Sequence, residues 1–154
     1  MGQEATKQLH ELDLQLESGS LKVQAVGVNA LSFLEAKYSL HEFYEAISKG
    51  DDDTKEWLSS LTPERDAEIS RGLDLVLNYC LTWGVAEDPP DEDLDVLAAM
   101  GIDVSNPKIA RLYWLRIIRL DGNEAVMVQN SVRALTQGRF VEMVDNAKAE
   151  SEGK

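Results

Sequence analysis

A chain of 154 residues with 44% apolar residues can bury a real hydrophobic core, which excludes wholesale disorder. Its 28 acidic and 15 basic residues give a net charge of −13, which excludes a phosphate-tracking surface over most of the molecule. No run of about 18 uncharged apolar residues occurs, so no membrane span is expected, and one cysteine, Cys80, excludes an intrachain disulfide and suits a reducing compartment.

The start, MGQEATKQLHELDLQLE, lacks a basic stretch followed by an apolar one, so no secretory signal is expected. Gly2 stands where an N-myristoyl chain would be attached. That motif is short, and polar residues follow, so no lipid is expected. Residues 1–20 admit two readings. Leu12, Leu14 and Leu16 alternate with polar residues, as do Leu21, Val23 and Ala25 beyond Glu17–Ser20, which suits a hairpin. Leu9, Leu12 and Leu16 also fit a helix, and helix is the reading taken here.

Residues 21–147 are read as one helical domain. Asn29 to Lys49 form a first helix with Phe33, Ala36, Leu40, Phe43 and Ile47 on one face, stopped by Gly50. Asp51–Asp53 then open a short helix bearing Trp57, Leu58 and Leu61. Thr62-Pro63-Glu64 starts the best-specified helix: Thr62 caps it, and Ile69, Leu73, Val76, Leu77, Cys80 and Leu81 share a face. Gly84 is expected to close it as a left-handed cap. Leu77→Asp is expected to unfold the protein by placing an unpaired charge on that face.

An acidic linker, 86–91, contains Pro89-Pro90, and a short helix from Asp91 ends at Gly101. Asn106-Pro107 starts another, with Ile109, Leu112, Tyr113, Ile117 and Leu120 inward, and Asp121-Gly122-Asn123 breaks it. Ala125, Val128, Val132 and Leu135 lead a helix to Gly138, Phe140, Val141 and Val144 mark a last segment, and 148–154 are expected to fray. The fold class is therefore mainly α, a single domain of five or six helices, with an N-terminal hairpin as the open alternative.

The chemistry-bearing patterns fail one at a time. His41-Glu42-Phe43-Tyr44-Glu45 begins like HExxH but ends in Glu, so the second zinc-binding His is missing. The positions three before His10 and His41 are Lys7 and Tyr38, which denies a diiron Glu-x-x-His pair. Asp91–Asp95 resembles the start of a calcium loop, but Val96 and Ile102 occupy the positions that need Gly and Glu. Cys80 has no His or basic neighbour in sequence and reads as a small core residue. No catalytic, cofactor or metal residue is assigned, and no enzyme activity is expected.

Charge is uneven along the chain. Between Ser105 and Phe140 stand Lys108, Arg111, Arg116, Arg119, Arg133 and Arg139 against Asp121 and Glu124. That segment is +4, and the remainder is −17. Tyr113 and Trp114 among these arginines could suit a nucleic acid. Pairing with acids of Asp91–Asp95 or of another subunit is favoured, because the helix has an apolar face to bury. Trp57, Trp83 and Trp114 read as core residues, any exposed one being a candidate binding anchor.

Leu77–Pro90 (LNYCLTWGVAEDPP) and Ile109–Thr136 (IARLYWLRIIRLDGNEAVMVQNSVRALT) resemble small helical proteins encoded among the virion-structure and tail-assembly genes of tailed bacteriophages. SFLEAKYSLHEFYEAI and EWLSSLTPER upstream fit the same impression, so the resemblance runs from about Ser32 to Thr136. It implies a noncatalytic role in particle assembly. The nearest role is a tail assembly chaperone, which coats the tape-measure protein and helps recruit tail-tube subunits; a permanent connector or tail component stands beside it. The implied partners are other phage structural or tail proteins, with copies of itself as a further option and neither nucleic acid nor membrane. The implied place is the host cytoplasm during assembly, or the virion. A third reading, an acidic nucleic-acid mimic that inhibits a host protein, rests on the −17 outside the basic segment.

Overall fold

The computed structural model describes residues 10–152, the side chains of 140–144 and 148–152 excepted. The readings of Gly2 and of residues 1–9 fall outside it, as do those of the Phe140, Val141 and Val144 side chains. The fold is mainly α-helical with an N-terminal antiparallel hairpin. Two compact units are present: the described parts of Met1–Val28 and Asn78–Lys154 together, and Asn29–Leu77.

In the first unit, β1 (Glu11–Leu16) pairs with β2 (Gly19–Gln24), Leu16 opposite Gly19 and Leu12 opposite Val23. The helix reading of this stretch is thus corrected. A strand puts Leu14, Leu16, Leu21 and Val23 on one face, where a helix would send Leu14 away from Leu12 and Leu16. Leu21 and Val23 are fully buried. Gly19 supplies the positive φ (121°) that closes the two-residue turn.

The first unit also holds the end of helix α4 (Pro63–Gly84), α5 (Asp91–Ala99), α6 (Pro107–Tyr113), a π-helical turn Trp114–Arg119 that continues α6, and α7 (Gly122–Glu152). Its core is built from Cys80, Leu81, Val85, Leu97, Leu115, Val128 and Val132, all fully buried. Val85 forms an isolated antiparallel bridge with Val23, and the Ala86 N–H donates to the Lys22 carbonyl at 3.0 Å.

Gly84 is not a left-handed cap. Positive φ among the described glycines occurs at Gly19, Gly50 and Gly101, while Gly84 is helical and buried against α7. A Cβ there would lie 2.5 Å from Val132 Cγ2, so glycine serves the close approach of two helices. Nor does Gly138 end its helix: α7 runs through it to Glu152, past the start of the segment expected to fray. An exposed glycine costs a helix only about 1 kcal/mol, which the burial of Val128, Val132 and Thr136 in the same helix offsets.

The hairpin turn is tied to the start of α7. The Glu124 N–H donates to Asp121 Oδ1 (2.8 Å) and the Asp121 N–H to Glu124 Oε1 (3.2 Å), a reciprocal capping box. Glu124 Oε2 accepts from the Ser18 hydroxyl (2.7 Å) and Ser18 N–H (3.2 Å). Arg119 completes the tie by donating to Ser18 Oγ and to the carbonyls of Gly19 (3.3 Å) and Ser20 (3.1 Å). These contacts, the Ser18 hydroxyl first and the Asp121 N–H next, hold the Glu124 carboxyl below its ordinary 4.5. Thr136, also buried, accepts from the Val26 N–H (3.0 Å) and donates to the Val132 carbonyl (2.7 Å).

The second unit contains α1 (Val28–Lys37, from its second residue), α2 (Leu40–Ser48), α3 (Asp51–Ser59) and α4 as far as Leu77. The single helix expected over Asn29–Lys49 is broken at Tyr38-Ser39, where Ser39 takes left-handed φ (57°). Tyr38 packs where Gly72 of α4 has no side chain, so the break is settled by a neighbour distant in sequence. It also rotates the faces. Leu31, Glu35, Leu40 and Ala46 are buried, while Phe33, Ala36 and Ile47 are exposed. Thr62 caps α4 as expected, its hydroxyl accepting from the Arg65 N–H at 3.2 Å, and Arg65 pairs with Glu42 at 2.5 Å. On α4, Ile69, Val76, Cys80 and Leu81 are buried, and Leu73 and Leu77 are half-buried.

Candidate protein-binding surface

The α5–α6 region of the first unit is held by local chemistry at each junction. Gly101, at φ 87°, closes α5 with the Ile102 N–H on the Leu97 carbonyl (3.1 Å) and its own N–H on that of Ala98 (3.0 Å). This pair of hydrogen bonds is the Schellman closure. In the connection, the Ser105 N–H (3.0 Å) and hydroxyl (2.5 Å) donate to Asp103 Oδ1, and the hydroxyl foremost lowers the carboxyl pKa. Asn106 caps α6, its Oδ1 accepting from the N–H groups of Lys108 (3.1 Å) and Ile109 (3.4 Å), with Pro107 first in the helix.

IARLYWLRIIRL is apolar nearly all round, so periodicity alone leaves two candidate buried faces. The expected inward set was Ile109, Leu112, Tyr113, Ile117 and Leu120. The buried set is Ala110, Trp114, Leu115 and Leu120. The wider π turn accounts for the last pair of this set: the Leu120 N–H reaches the Leu115 carbonyl, five residues back, at 3.0 Å, which keeps both leucines inside. Trp114 Nε1 donates to Asp93 Oδ2 at 2.9 Å and ties the turn to α5.

The displaced residues form a row on the solvent side. Ile109, Tyr113 and Ile117, four apart, are 38%, 43% and 45% exposed. On α5, Val96 and Met100 repeat the spacing at 49% and 56%. Two apolar rows on helices that pack together, with ends fixed by caps, are the surface best suited to a protein partner.

The basic stripe is largely consumed inside the unit. Arg111 pairs with Asp88 (2.6 Å) and donates to the Thr82 carbonyl (3.2 Å); Arg116 donates to Asn78 Oδ1 (2.7 Å), and Arg119 braces the hairpin turn. Internal pairing was expected with Asp91–Asp95. Arg111 instead meets Asp88 in the linker, and of that run Asp93 is taken by Trp114. Lys108 Nζ sits 3.3 Å from the centre of the Trp83 ring, itself 45% exposed, which makes Trp83 the tryptophan most open to a partner. Trp114 is core, and Trp57 is half-buried beside Phe43 (6.1 Å between ring centres).

In the second unit an open cleft of about 480 Å³ between α2 and α3 is lined by Glu42, Glu45, Lys49, Asp53, Glu56 and Trp57. His41 is exposed on α2, Asp91–Asp95 lie in helix α5, and Cys80 is buried. Among the described residues no group of three or more His, Cys, Asp or Glu is placed to hold a metal ion, and no helix is long and apolar enough to cross a membrane.

Comparison with protein-family models, with curated proteins and with solved structures finds no match to this chain.

Proposed function

We propose that the chain is a noncatalytic assembly protein of a tailed-phage particle, acting in tail assembly by binding other particle proteins through the α5 and α6 rows. The observation that carries the binding surface is the outward row of Ile109, Tyr113 and Ile117. Three large apolar side chains are left in water along α6 and the π turn that continues it, in a chain carrying −13 that keeps them soluble. What supports the assembly role is the resemblance of Leu77–Pro90 and Ile109–Thr136 to phage tail-assembly proteins.

The test is affinity capture of the tagged chain from its native lysate, washed at low and at high salt. Bound proteins are identified by mass spectrometry, beside an Ile109→Asp/Ile117→Asp variant with unchanged circular dichroism. A tape-measure or other particle protein should survive high salt, because apolar contacts are not screened, and be lost with the variant. Capture only of a basic nucleic-acid-binding protein that washes off with salt would overturn the proposal in favour of an acidic mimic. Finding the chain in purified particles would make it a permanent component.

A further inference from the structure

The two edges of the hairpin differ. The Ala25 N–H donates to the His10 carbonyl at 2.9 Å, which sets the parity of the ladder. Antiparallel pairs alternate between exchanging both hydrogen bonds and exchanging none. The backbones of Leu12, Leu14 and Leu16 therefore face β2, and those of Glu11, Asp13 and Gln15 point away from it. The same parity turns Ser20 and Lys22 outward on the far edge. There the carbonyls are met, Lys22 by the Ala86 N–H (3.0 Å) and Ser20 by Arg119 (3.1 Å). On the β1 edge, β2 is the only strand paired with β1 among the described residues, so Glu11, Asp13 and Gln15 present bare donors and acceptors.

The side chains give this edge a character. Leu12 is 45% exposed although its cross-strand neighbour Val23 is fully buried, so apolar surface overhangs beside the open backbone. Glu11 and Asp13 stand exposed on the other face, with Glu17 in the turn.

We propose that the free edge of β1 accepts an extended segment of a partner protein by strand addition, and that this segment alternates basic and apolar side chains. Outward backbone groups supply the hydrogen bonds, and alternate side chains supply the choice. Basic residues fall opposite Glu11 and Asp13, apolar ones beside Leu12 and Leu14. A second copy is a poor occupant: antiparallel pairing of β1 with itself sets acids against acids on one face, which is destabilising. The acids thus both deter self-association and select a basic strand. This edge is separate from the α5–α6 rows and stands or falls without them.

The test is amide–water exchange by NMR on the full ¹⁵N-labelled chain, with a short capped peptide alternating Lys and Val. The control peptide carries Glu in place of Lys. At about ten times the dissociation constant, the amides of Glu11, Asp13 and Gln15 should exchange about tenfold more slowly. Those of Leu12, Leu14 and Leu16, already bonded to β2, should not change. Gln15→Pro removes an outward donor while leaving the β1–β2 ladder intact, which the Leu amides verify, and should abolish the slowing at Glu11 and Asp13. No slowing with the Lys peptide overturns strand addition, and equal slowing with the Glu peptide overturns the charge assignment. Protection already present in the dilute free chain means another part of the chain holds the edge. Protection that grows with protein concentration means a second copy does. Either also overturns the proposal.

Discussion

Gly84→Ala sets helix propensity against packing. Inside a helix, alanine is about 1 kcal/mol better than glycine, so the sequence alone predicts a gain. In the structure the new Cβ would lie 2.5 Å from Val132 Cγ2, 2.6 Å from Cγ1 and 3.1 Å from Cβ. Carbon pairs are at ease at about 3.5–4.0 Å. Val132 is fully buried, and a β-branched side chain in a helix has one strongly preferred rotamer, so it cannot turn aside cheaply. Overpacking of this kind costs about 1–3 kcal/mol, and with both methyls struck the upper part of that range applies. After the propensity gain, a net loss of about 1–2 kcal/mol remains. Urea unfolding followed by circular dichroism should show a lower midpoint at unchanged slope. Gly138→Ala in α7 is the control. Its Cβ meets no described atom within 4 Å, so it should stabilise by about 0.5–1 kcal/mol. Adding Val132→Ala to Gly84→Ala should destabilise less than the two single changes together. A Gly84→Ala protein as stable as wild type would refute the close approach of α4 and α7.

Thr136→Val keeps the shape of a buried side chain but strands the Val26 N–H, and should cost about 1–3 kcal/mol by thermal or urea unfolding. Thr136→Ser should recover most of it, and equal stability of the Val variant would remove the bond from the account. Glu124, with its folded pKa lowered, contributes stability that is complete above its ordinary 4.5 and is lost as pH falls through the folded value. Glu124→Gln should therefore be less stable at pH 7 and show a shallower loss on acidification below that ordinary value. Parallel curves for the two proteins would deny the Ser18 and Asp121 contacts this role. Leu81→Ala, emptying a fully buried site on α4, should cost about 2–5 kcal/mol, read as a lower urea midpoint. A loss well under 1 kcal/mol would place Leu81 outside the core.

Helix punctuation was legible because it is local. Thr62, Asn106-Pro107, Gly50 and Gly101 act through hydrogen bonds and φ values within a turn of themselves, and each stands where its chemistry predicts. The choice between strand and helix at Leu12–Leu16 was not local. Both patterns were present, and the hairpin prevailed by burying Leu21 and Val23 and tying its turn to Glu124, 106 residues beyond Ser18. The residues of the candidate surface were also visible, but with the sign reversed. IARLYWLRIIRL offers two apolar faces, the periodicity favours the one with Ile109, Tyr113 and Ile117, and tertiary packing buries Ala110, Trp114 and Leu115 instead. The break at Ser39, the helical state of Gly84 and the passage of α7 through Gly138 belong with these. By itself the sequence determined where most helices begin and end, since those groups must be satisfied within reach of the local backbone. Which face each helix buries, and which glycine bends and which merely yields space, was decided only by tertiary packing, because those choices depend on side chains far away along the chain.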